Sequence, residues 1–173
     1  MNLSFKIIDS PIGKLKLAAR DRGLAAILWE NDNPRRVRLK EVVENPTHSI
    51  LLQTEKELAE YFAGRRNTFS VRLDMDGTKF QKNVWDALAN TPFGETRTYG
   101  QLAKQLGNPK AMRAVGAANG RNPVAIVVPC HRVIGADGKL IGFAGGLEAK
   151  AHLLNLESPK RKVIAAADMI HTI

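Results

Sequence analysis

The sequence changes character near residue 77, and this change constrains the fold more than any other feature. Upstream, short and partly alternating apolar runs are separated by turns containing Gly or Pro, the pattern of β-strands. These runs are Phe5–Ile8, Lys14–Ala19, Leu24–Trp29 and Phe69–Leu73, and a helical pattern covers Ile50–Phe62. Downstream, helix signals dominate. We therefore expect an α+β protein: an N-terminal α/β domain (1–77), with a small antiparallel sheet and a helix, and a mostly helical C-terminal domain (78–173).

Local capping signals predict where helices begin in the second part. Two capping boxes, in which a Thr precedes a Gln by three residues, occur at Thr78–Gln81 and Thr98–Gln101. Asn108 followed by Pro109 predicts a further helix that runs to about Ala118. The last two helices, joined by a turn that contains a glycine, form a helix-turn-helix candidate. Such a pair binds DNA in some proteins and is a plain packing unit in others.

The charge of the chain is concentrated in the second part. The net charge is +9, and residues 78–173 carry 13 basic and 6 acidic side chains, a balance of 13 − 6 = +7. One face of the second helix of the pair is basic and slim, and comprises Lys110, Arg113, Ala117 and Arg121. The other face is apolar, and comprises Ala111, Ala114, Val115 and Ala118. A basic surface of this kind predicts contact with a polyanion such as nucleic acid, although a solvated basic face would look the same.

The single cysteine, Cys130, lies in a segment that suggests chemistry. It follows the apolar run Ile126–Val128 and Pro129, and it precedes His131 and Arg132. We expect a buried strand that ends at Pro129 and presents Cys130 where it can be reached. Nearby positive charge favours the reactive thiolate, although a lone cysteine is also a common small core residue. Neighbouring side chains on extended backbone point in opposite directions, so we expect a water molecule rather than a direct Cys130–His131 hydrogen bond.

The remaining segment offers a partner for the imidazole. Asp137-Gly138 predicts a tight turn that joins Arg132–Ile134 to Leu140–Phe143. A glycine-rich loop and a last helix, Leu147–Leu156, follow, and they deliver Glu157 at the helix end. A carboxylate there could fix the tautomer of a histidine base, although a surface Glu fits the same spacing. Residues 158–173 give no clear pattern.

Taken together, Pro129–Ile134, the preceding Asn122-Pro123 and Arg113–Gly116 resemble the methylated-DNA–protein-cysteine methyltransferases, also called O6-alkylguanine-DNA alkyltransferases. The resemblance covers roughly Phe80–Glu157. The N-terminal part is similar to the ribonuclease-H-like α/β domain of that family only in its general pattern. The resemblance implies direct reversal of DNA damage: an alkyl group passes irreversibly from O6-alkylguanine, and in some members O4-alkylthymine, to the cysteine.

The resemblance also implies a role for each matching residue. Cys130 would be the nucleophile and alkyl acceptor, with His131 as a base acting through water and Glu157 orienting it. Asn122 would brace the turn, and Tyr99 would contact the flipped guanine or a phosphate and supply a proton. Two sets of residues would complete the site. The DNA-binding set is Arg113, which enters the base stack, with Tyr99, Lys110, Ala117 and Arg121 in the minor groove; the pocket set is Val133, Phe143, Ala144 and Gly145.

Two pocket residues depart from the family pattern, and three other functional classes compete. Phe143 stands where many relatives have Tyr and Ala144 where some have Ser, so the pocket lacks those hydroxyl groups. A non-catalytic alkyltransferase-like lesion binder would have Trp in place of Cys130. A helix-turn-helix regulator would not need the thiol, and a thiol hydrolase would need a distant His. The sequence shows no signal-like N-terminal stretch and no apolar span of membrane length, so we expect a cytoplasmic protein without a membrane segment. The resemblance implies no cofactor, no metal, duplex DNA as partner and a monomer.

Overall fold

The computed structural model describes residues 2–158 and divides into two compact units. The first unit comprises the residues up to Asp76 together with Pro123–Val127, and the second comprises Gly77–Asn122 together with the residues from Val128 onward. Residues 159–173, which the sequence assigns to the second domain, lie outside the described residues. No helix within 2–158 is long and apolar enough to cross a lipid bilayer.

The first unit is a four-stranded sheet with one helix packed against it. Its elements are β1 (Leu3–Ile8), β2 (Leu15–Arg20), β3 (Gly23–Trp29), β4 (Val42–Glu44) and α1 (Ser49–Phe62). The first three strands and the helix confirm the sequence prediction to within about two residues. The strand order is β3-β2-β1-β4. Side chains of β2 and β3 and one face of α1 form the core, with these residues fully buried: Leu15, Leu17, Leu24, Ile27, Leu51, Leu58 and Tyr61.

The sheet is mixed rather than purely antiparallel, because β4 pairs parallel to β1. This strand has three residues and was not predicted, since it follows a polar connector and shows no alternating pattern. Its neighbour Asn45 donates its backbone N–H to the Phe5 carbonyl, which extends the pairing by one bond. The added strand covers the edge of β1 that the antiparallel hairpin leaves open.

The predicted strand Phe69–Leu73 is wrong, because a side chain takes the place of a partner strand. The buried carboxylate of Glu57 accepts hydrogen bonds from the backbone N–H groups of Ser70 (2.7 Å) and Val71 (3.3 Å). Only Leu73 forms a bridge to the sheet, opposite Leu24. The alternation of apolar residues therefore does not mark a continuous ladder: Val71 is buried and Phe69 packs against Tyr61 of α1, whereas Leu73 is exposed.

The predicted strand Ile126–Val128 is also wrong, although its residues are mainly buried. Pro123–Val127 belongs to the first unit: the Ile27 N–H donates to the Pro123 carbonyl at 2.9 Å, and Val124 forms a parallel bridge with Ile27. Beyond that bridge the chain turns sharply. Ile126 has φ = 75°, and the Val127 N–H donates to the Ala125 carbonyl at 2.9 Å. A β-branched residue in this strained γ-turn cannot continue a strand.

The second unit is mostly helical, as predicted. Its elements are α2 (Lys79–Ala89), β5 (Arg97–Thr98), α3 (Tyr99–Gln105), α4 (Met112–Gly120), a 3₁₀ turn (Cys130–Arg132), β6 (Val133–Ile134) and α5 (Leu147–Glu157). Both capping boxes form, with side chain and backbone bonded reciprocally at Thr78–Gln81 and Thr98–Gln101. The indole N–H of Trp85 on α2 donates to the Ala118 carbonyl of α4 at 2.9 Å, which ties the two helices together.

Two details of the second unit differ from prediction. Helix α4 begins at Met112 with Ala111 as its N-cap and no side-chain cap, whereas Asn108-Pro109 forms the preceding turn. The turn at Asp137-Gly138 exists, since the Gly135 N–H donates to the Lys139 carbonyl at 2.8 Å, but Leu140–Phe143 is not a strand. Instead, β6 pairs parallel with β5, so the local hairpin partner is replaced by a distant one.

Glu57→Ala is expected to destabilise the protein by about 2–3 kcal/mol, because two backbone N–H groups lose a charged acceptor in a buried setting. The measurement is the midpoint of urea unfolding. Glu60→Ala on the same helix is the matched control, since Glu60 pairs with Arg66 at 3.1 Å in a partly exposed ion pair, and should cost less than about 1 kcal/mol. Equal losses of stability in the two variants would contradict the view that the Glu57 carboxylate takes the place of a partner strand for Ser70 and Val71.

Candidate functional site

Cys130 lies in a buried 3₁₀ turn rather than at an exposed strand end. Pro129 precedes the turn, and the Arg132 N–H donates back to the Pro129 carbonyl at 3.0 Å. Cys130 is 7% exposed and His131 is fully buried. The expectation of an accessible, extended segment was therefore wrong, because the backbone turns immediately after the proline. Successive side chains of a 3₁₀ turn are roughly a third of a turn apart rather than opposite.

Glu157 joins the imidazole and the guanidinium of this turn. Its carboxylate accepts from His131 Nε2 at 2.7 Å, from Arg132 Nε at 2.7 Å and from Arg132 Nη2 at 3.0 Å. Burial alone would raise the pKa of Glu157, but the hydrogen bonds from His131 and Arg132 and the charge of Arg132 outweigh it and lower the pKa to about 2. The carboxylate is therefore ionised at neutral pH, and it forms a two-pronged ion pair with Arg132.

The proton on His131 is fixed by this arrangement. A carboxylate can only accept a hydrogen bond, so Nε2 carries the proton and Nδ1 presents its lone pair. Burial lowers the pKa of His131 despite the opposing influence of Glu157, and the charges of Arg132 and Lys150 lower it further. The ring is neutral at pH 7. Nδ1 is buried and has no hydrogen-bond partner among residues 2–158, which leaves it available as a base.

Asn122 secures the segment that leads into the turn. Its side chain is fully buried and donates from Nδ2 to the Val128 carbonyl at 2.8 Å. The Cys130 N–H donates to the same carbonyl at 2.8 Å. One carbonyl oxygen thus accepts from both Asn122 and Cys130. This pairing holds the backbone of Cys130 relative to the end of α4.

Tyr99 is held near the turn by the short parallel ladder. Arg97 and Thr98 pair with Val133 and Ile134, so the first residue of α3 follows directly from the strand beside the turn. Burial raises the pKa of Tyr99, a hydrogen bond with Asn119 opposes this shift, and the charge of Cys130 adds to it. The phenol is protonated at neutral pH. Asn119 was missed by sequence reasoning, because it lies on the buried face of a helix read as basic and apolar.

Helix α4 exposes the predicted basic face. All four residues of the predicted set are exposed. Arg113 and Ala117 lie on the helix, whereas Lys110 and Arg121 lie just outside its two ends. Its buried side consists of Val115, Ala118 and Asn119. Ala114, which was assigned to the apolar face, is exposed instead. The exposed face is thus slightly wider than expected and carries mainly small side chains between its basic ones.

The predicted pocket residues follow the turn along the chain. Val133 is buried in β6, whereas Phe143 and Gly145 are partly buried and Ala144 is exposed in the loop before α5. Sequence reasoning also missed Lys150, a fully buried lysine of α5 whose ammonium donates to the Ile141 carbonyl of this loop at 2.7 Å. A signal was present, since Lys150 lies on the same helical stripe as Leu147, Leu154 and Glu157.

The structure thus brings Cys130, His131, Glu157, Asn122 and Tyr99 to one region of the second unit. The basic residues form a separate, exposed set on and around α4. In the part of the chain described, no group of three or more His, Cys, Asp or Glu side chains is arranged to hold a metal ion.

Two family models match the chain, one for each part. Residues 3–75 match the ribonuclease-like domain of 6-O-methylguanine DNA methyltransferase, and residues 79–159 match its DNA-binding domain. A methylated-DNA–protein-cysteine methyltransferase of Methanosarcina acetivorans is 50% identical over 153 residues, which cover 88% of this chain and 97% of that protein. The protein of the same name from Mycolicibacterium paratuberculosis is 48% identical over 157 residues, covering 90% and 92%.

Solved structures agree with these relatives. The crystal structure of Mycobacterium tuberculosis OGT in complex with DNA is 44% identical, has a TM-score of 0.83, and matches 96% of this chain and 99% of that one. The structure of the M. tuberculosis O6-methylguanine methyltransferase has a TM-score of 0.80 at 46% identity, covering 91% and 93%. The chain therefore belongs to the family of methylated-DNA–protein-cysteine methyltransferases.

Proposed function

We propose that this protein repairs DNA by transferring the alkyl group of O6-alkylguanine in duplex DNA to Cys130, once per molecule. The observation that carries the proposal is the buried pairing of His131 with Glu157 at 2.7 Å, directly beside the cysteine of the same turn. Family membership supports the same reaction. A lesion binder without catalysis would need neither a thiol nor a base held in a single tautomer.

The reaction divides among the residues of the turn and of α3. A water molecule between Cys130 and Nδ1 of His131 carries the thiol proton to the imidazole, while Glu157 holds the ring by its other nitrogen. The thiolate sulfur attacks the alkyl carbon, the bond between that carbon and O6 breaks, and its electron pair stays on guanine. Tyr99, protonated at neutral pH, donates a proton to the departing base. The thioether that forms is not cleaved again.

The DNA must be distorted before this chemistry begins. O6 of guanine is inside the duplex, so the nucleotide is extruded toward Cys130 at a cost of a few kcal/mol. The exposed face of α4, with Lys110, Ala117 and Arg121, faces the minor groove, where small side chains allow close approach to the backbone. Arg113 enters the stack in place of the extruded base. Val133, Phe143, Ala144 and Gly145 line the pocket that receives the guanine.

The two domains have different tasks in this proposal. The C-terminal domain (78–173) holds the alkyl acceptor and the DNA-binding helices, and the ribonuclease-H-like N-terminal domain (1–77) supports it. The reaction uses no cofactor, and a monomer suffices because every proposed site residue comes from one chain. A thiol that must stay reduced until it reacts suits the cytoplasm.

Incubation with a duplex containing one O6-methylguanine is expected to add a single methyl group to the protein. The change in intact mass measures it, and peptide mapping should place the methyl on Cys130. Cys130→Ser, which keeps the size of the side chain, should stay unmodified. An unmodified wild-type protein after complete incubation, or several turnovers per molecule, would contradict single-use transfer and favour a lesion binder or a true catalyst instead.

Arg113→Ala is expected to slow methyl transfer from duplex DNA at least about tenfold, since inserting a side chain offsets part of the unstacking cost. Reaction with free O6-methylguanine should stay unchanged, because no base is extruded there. Rates of protein methylation on the two substrates give the comparison. Arg65→Ala, a matched change at an exposed arginine of the first unit, should affect neither rate. Equal losses on both substrates would rule out a role in the stack.

Glu157→Gln is expected to slow methyl transfer about a hundredfold, because the neutral amide no longer fixes the proton of His131. The variant should also lose about 3 kcal/mol of stability at pH 7, since it leaves Arg132 buried without its counter-charge. Rates and urea midpoints measure the two effects. Glu148→Gln, an exposed position in the first turn of the same helix, is the matched control and should change little.

The lowered pKa of Glu157 determines how the stability difference between the wild type and Glu157→Gln changes with pH. The pKa of Glu157 is lowered from 4.5 to about 2 in the folded protein, so its contribution is fully present above pH 4.5. It is lost as the pH falls through 2, because the wild-type carboxylate then becomes protonated. The gap between wild type and Glu157→Gln should therefore narrow from pH 4.5 downward. A gap that is constant from pH 7 to pH 2 would show that the charge of Glu157 does not stabilise the fold.

A further inference from the structure

A groove of about 490 Å³ lies in the first unit, between the sheet and the loop that joins β3 to β4. Lys16 of β2 and Leu28 of β3 are opposite each other in the ladder and form its floor. Ile7 of β1 is opposite Lys16, and the residue before it, Lys6, points to the other face of the sheet, where it pairs with Glu55 of α1 at 2.6 Å. The groove is therefore on the face of the sheet that α1 does not cover, and its volume is that of a site for a small ligand or a few side chains.

The loop that forms the walls of the groove is held in shape by its own hydrogen bonds. Both oxygens of the Asp32 carboxylate accept from the Arg36 guanidinium, at 2.8 and 2.6 Å. The Asn33 side chain accepts from the Arg35 N–H at 2.9 Å, and the Asn33 carbonyl accepts from the Arg36 N–H at 2.9 Å. Near the end of the loop, Leu39 packs on the apolar cluster of the sheet. The walls are therefore preformed, and a partner can bind without first ordering the loop.

The lining of the groove is basic. It contains one carboxylate, that of Asp32, and three cations: Lys16, Arg35 and Arg38. Arg36, which is outside the lining, already neutralises Asp32. Neither Lys16 nor Arg38 forms an ion pair with another residue of the described part of the chain. The acidic residues at the two ends of the loop, Glu30 and Glu41, are exposed and are not part of the lining. The groove therefore favours a partner with negative charge.

The apolar part of the lining decides which kind of anion fits. Leu28, Val37 and Leu39 line the groove and are only partly buried. A sugar–phosphate backbone carries charge along its whole length and would leave these apolar side chains without a partner. Bases would need an exposed ring on which to stack, and the aromatic residue of the lining, Trp29, is only 7% exposed. A peptide with carboxylates next to an apolar side chain would satisfy both the cations and the apolar surface.

We propose that this groove is a docking site for an acidic peptide segment of a partner protein: an apolar side chain of the segment enters the groove, and neighbouring carboxylates pair with its three cations. The site differs in composition from the basic face of α4, which carries small side chains between its cations and is assigned to DNA. Docking of this kind goes beyond the repair reaction, because it brings the protein to another protein rather than to a lesion. The charges at the rim speed the encounter, and the apolar contact retains the bound segment.

The first test varies the peptide and leaves the protein unchanged. The probe is a fluorescein-labelled octapeptide of four aspartates followed by Ile-Leu-Pro-Phe, and fluorescence anisotropy follows its binding to the full chain. We expect saturable binding with a Kd below about 100 μM. Replacing the four aspartates by asparagine, or the apolar half by four serines, should each weaken binding at least about tenfold, because each change removes one of the two kinds of contact. A lack of saturation at about 1 mM peptide, or equal binding of the asparagine peptide, would overturn the proposal.

The second test locates the bound peptide. The double variant Lys16→Met/Arg38→Gln removes two cations of the lining and keeps most of their bulk, and it should bind the acidic peptide at least about tenfold more weakly. The matched control is Lys56→Met/Arg65→Gln, at two exposed positions on and after α1, and it should keep the wild-type affinity. Thermal unfolding checks that both double variants are folded, and the peptide series does not depend on either of them. Unchanged affinity in the groove variant, or the same loss in the control, would overturn the assignment to the groove.

Nucleic acid is the competing occupant, and the same variants distinguish it. Affinity for undamaged duplex DNA should change less than about twofold in Lys16→Met/Arg38→Gln, and excess duplex should leave the peptide bound. Displacement of the peptide by DNA, together with a loss of DNA affinity in this variant, would assign the groove to nucleic acid and overturn the proposal.

None of these measurements uses an alkylated base, so their outcome is separable from that of the repair assay. Peptide binding without methyl transfer to Cys130 would sink the repair reaction and keep the docking site. Methyl transfer without peptide binding would do the reverse.

Discussion

The site depends on one carboxylate that serves two neighbours. Glu157 holds the imidazole of His131 and, through two bonds, the guanidinium of Arg132. Arg132 in turn donates to the Thr91 carbonyl beyond the end of α2 at 2.6 Å. The turn that carries Cys130 is thereby fixed to the segment after α2 and to the end of α5 by hydrogen bonds between buried groups. Removing that carboxylate would leave a buried cation unpaired and a histidine free to change its tautomer, so stability and chemistry have the same origin here.

The elements that could be predicted from sequence are those encoded over short distances. The capping boxes at Thr78 and Thr98 formed as expected, because the reciprocal bonds need only four consecutive residues. The first three strands of the first unit are short, partly alternating apolar runs, and the turns between them contain glycine. Among the proposed site residues, the likeness to a known family identified Cys130, His131 and Glu157 together. Sequence spacing alone gave no reason to join residues that are 26 positions apart.

The features that sequence reasoning missed or got wrong depend on tertiary contacts or on the local course of the backbone. Phe69–Leu73 alternates like a strand, but a carboxylate on α1 takes up its N–H groups. Cys130 was expected on extended backbone, whereas a 3₁₀ turn follows Pro129. Lys150 shares a helical stripe with apolar residues, but only the fold shows that its side chain is buried and that its ammonium donates to a loop carbonyl. The carboxylate of Glu57 and the loop carbonyl that binds Lys150 are tertiary partners that no local pattern reveals, whereas the turn after Pro129 is a local feature of the backbone.

The path of the chain between the units has a consequence for how this protein can be divided. Because Pro123–Val127 belongs to the first unit while Asn122 and Val128 belong to the second, the backbone passes from one unit to the other three times. A C-terminal fragment that begins at Gly77 would keep the apolar residues Val124, Ala125 and Ile126. It would lose the β3 backbone to which this segment bonds. Such a fragment would leave the backbone groups of this segment unpaired, and unpaired edges of this kind promote aggregation. The two parts are therefore separate in sequence pattern, but a single cut at Gly77 does not divide the chain along the boundary between the units.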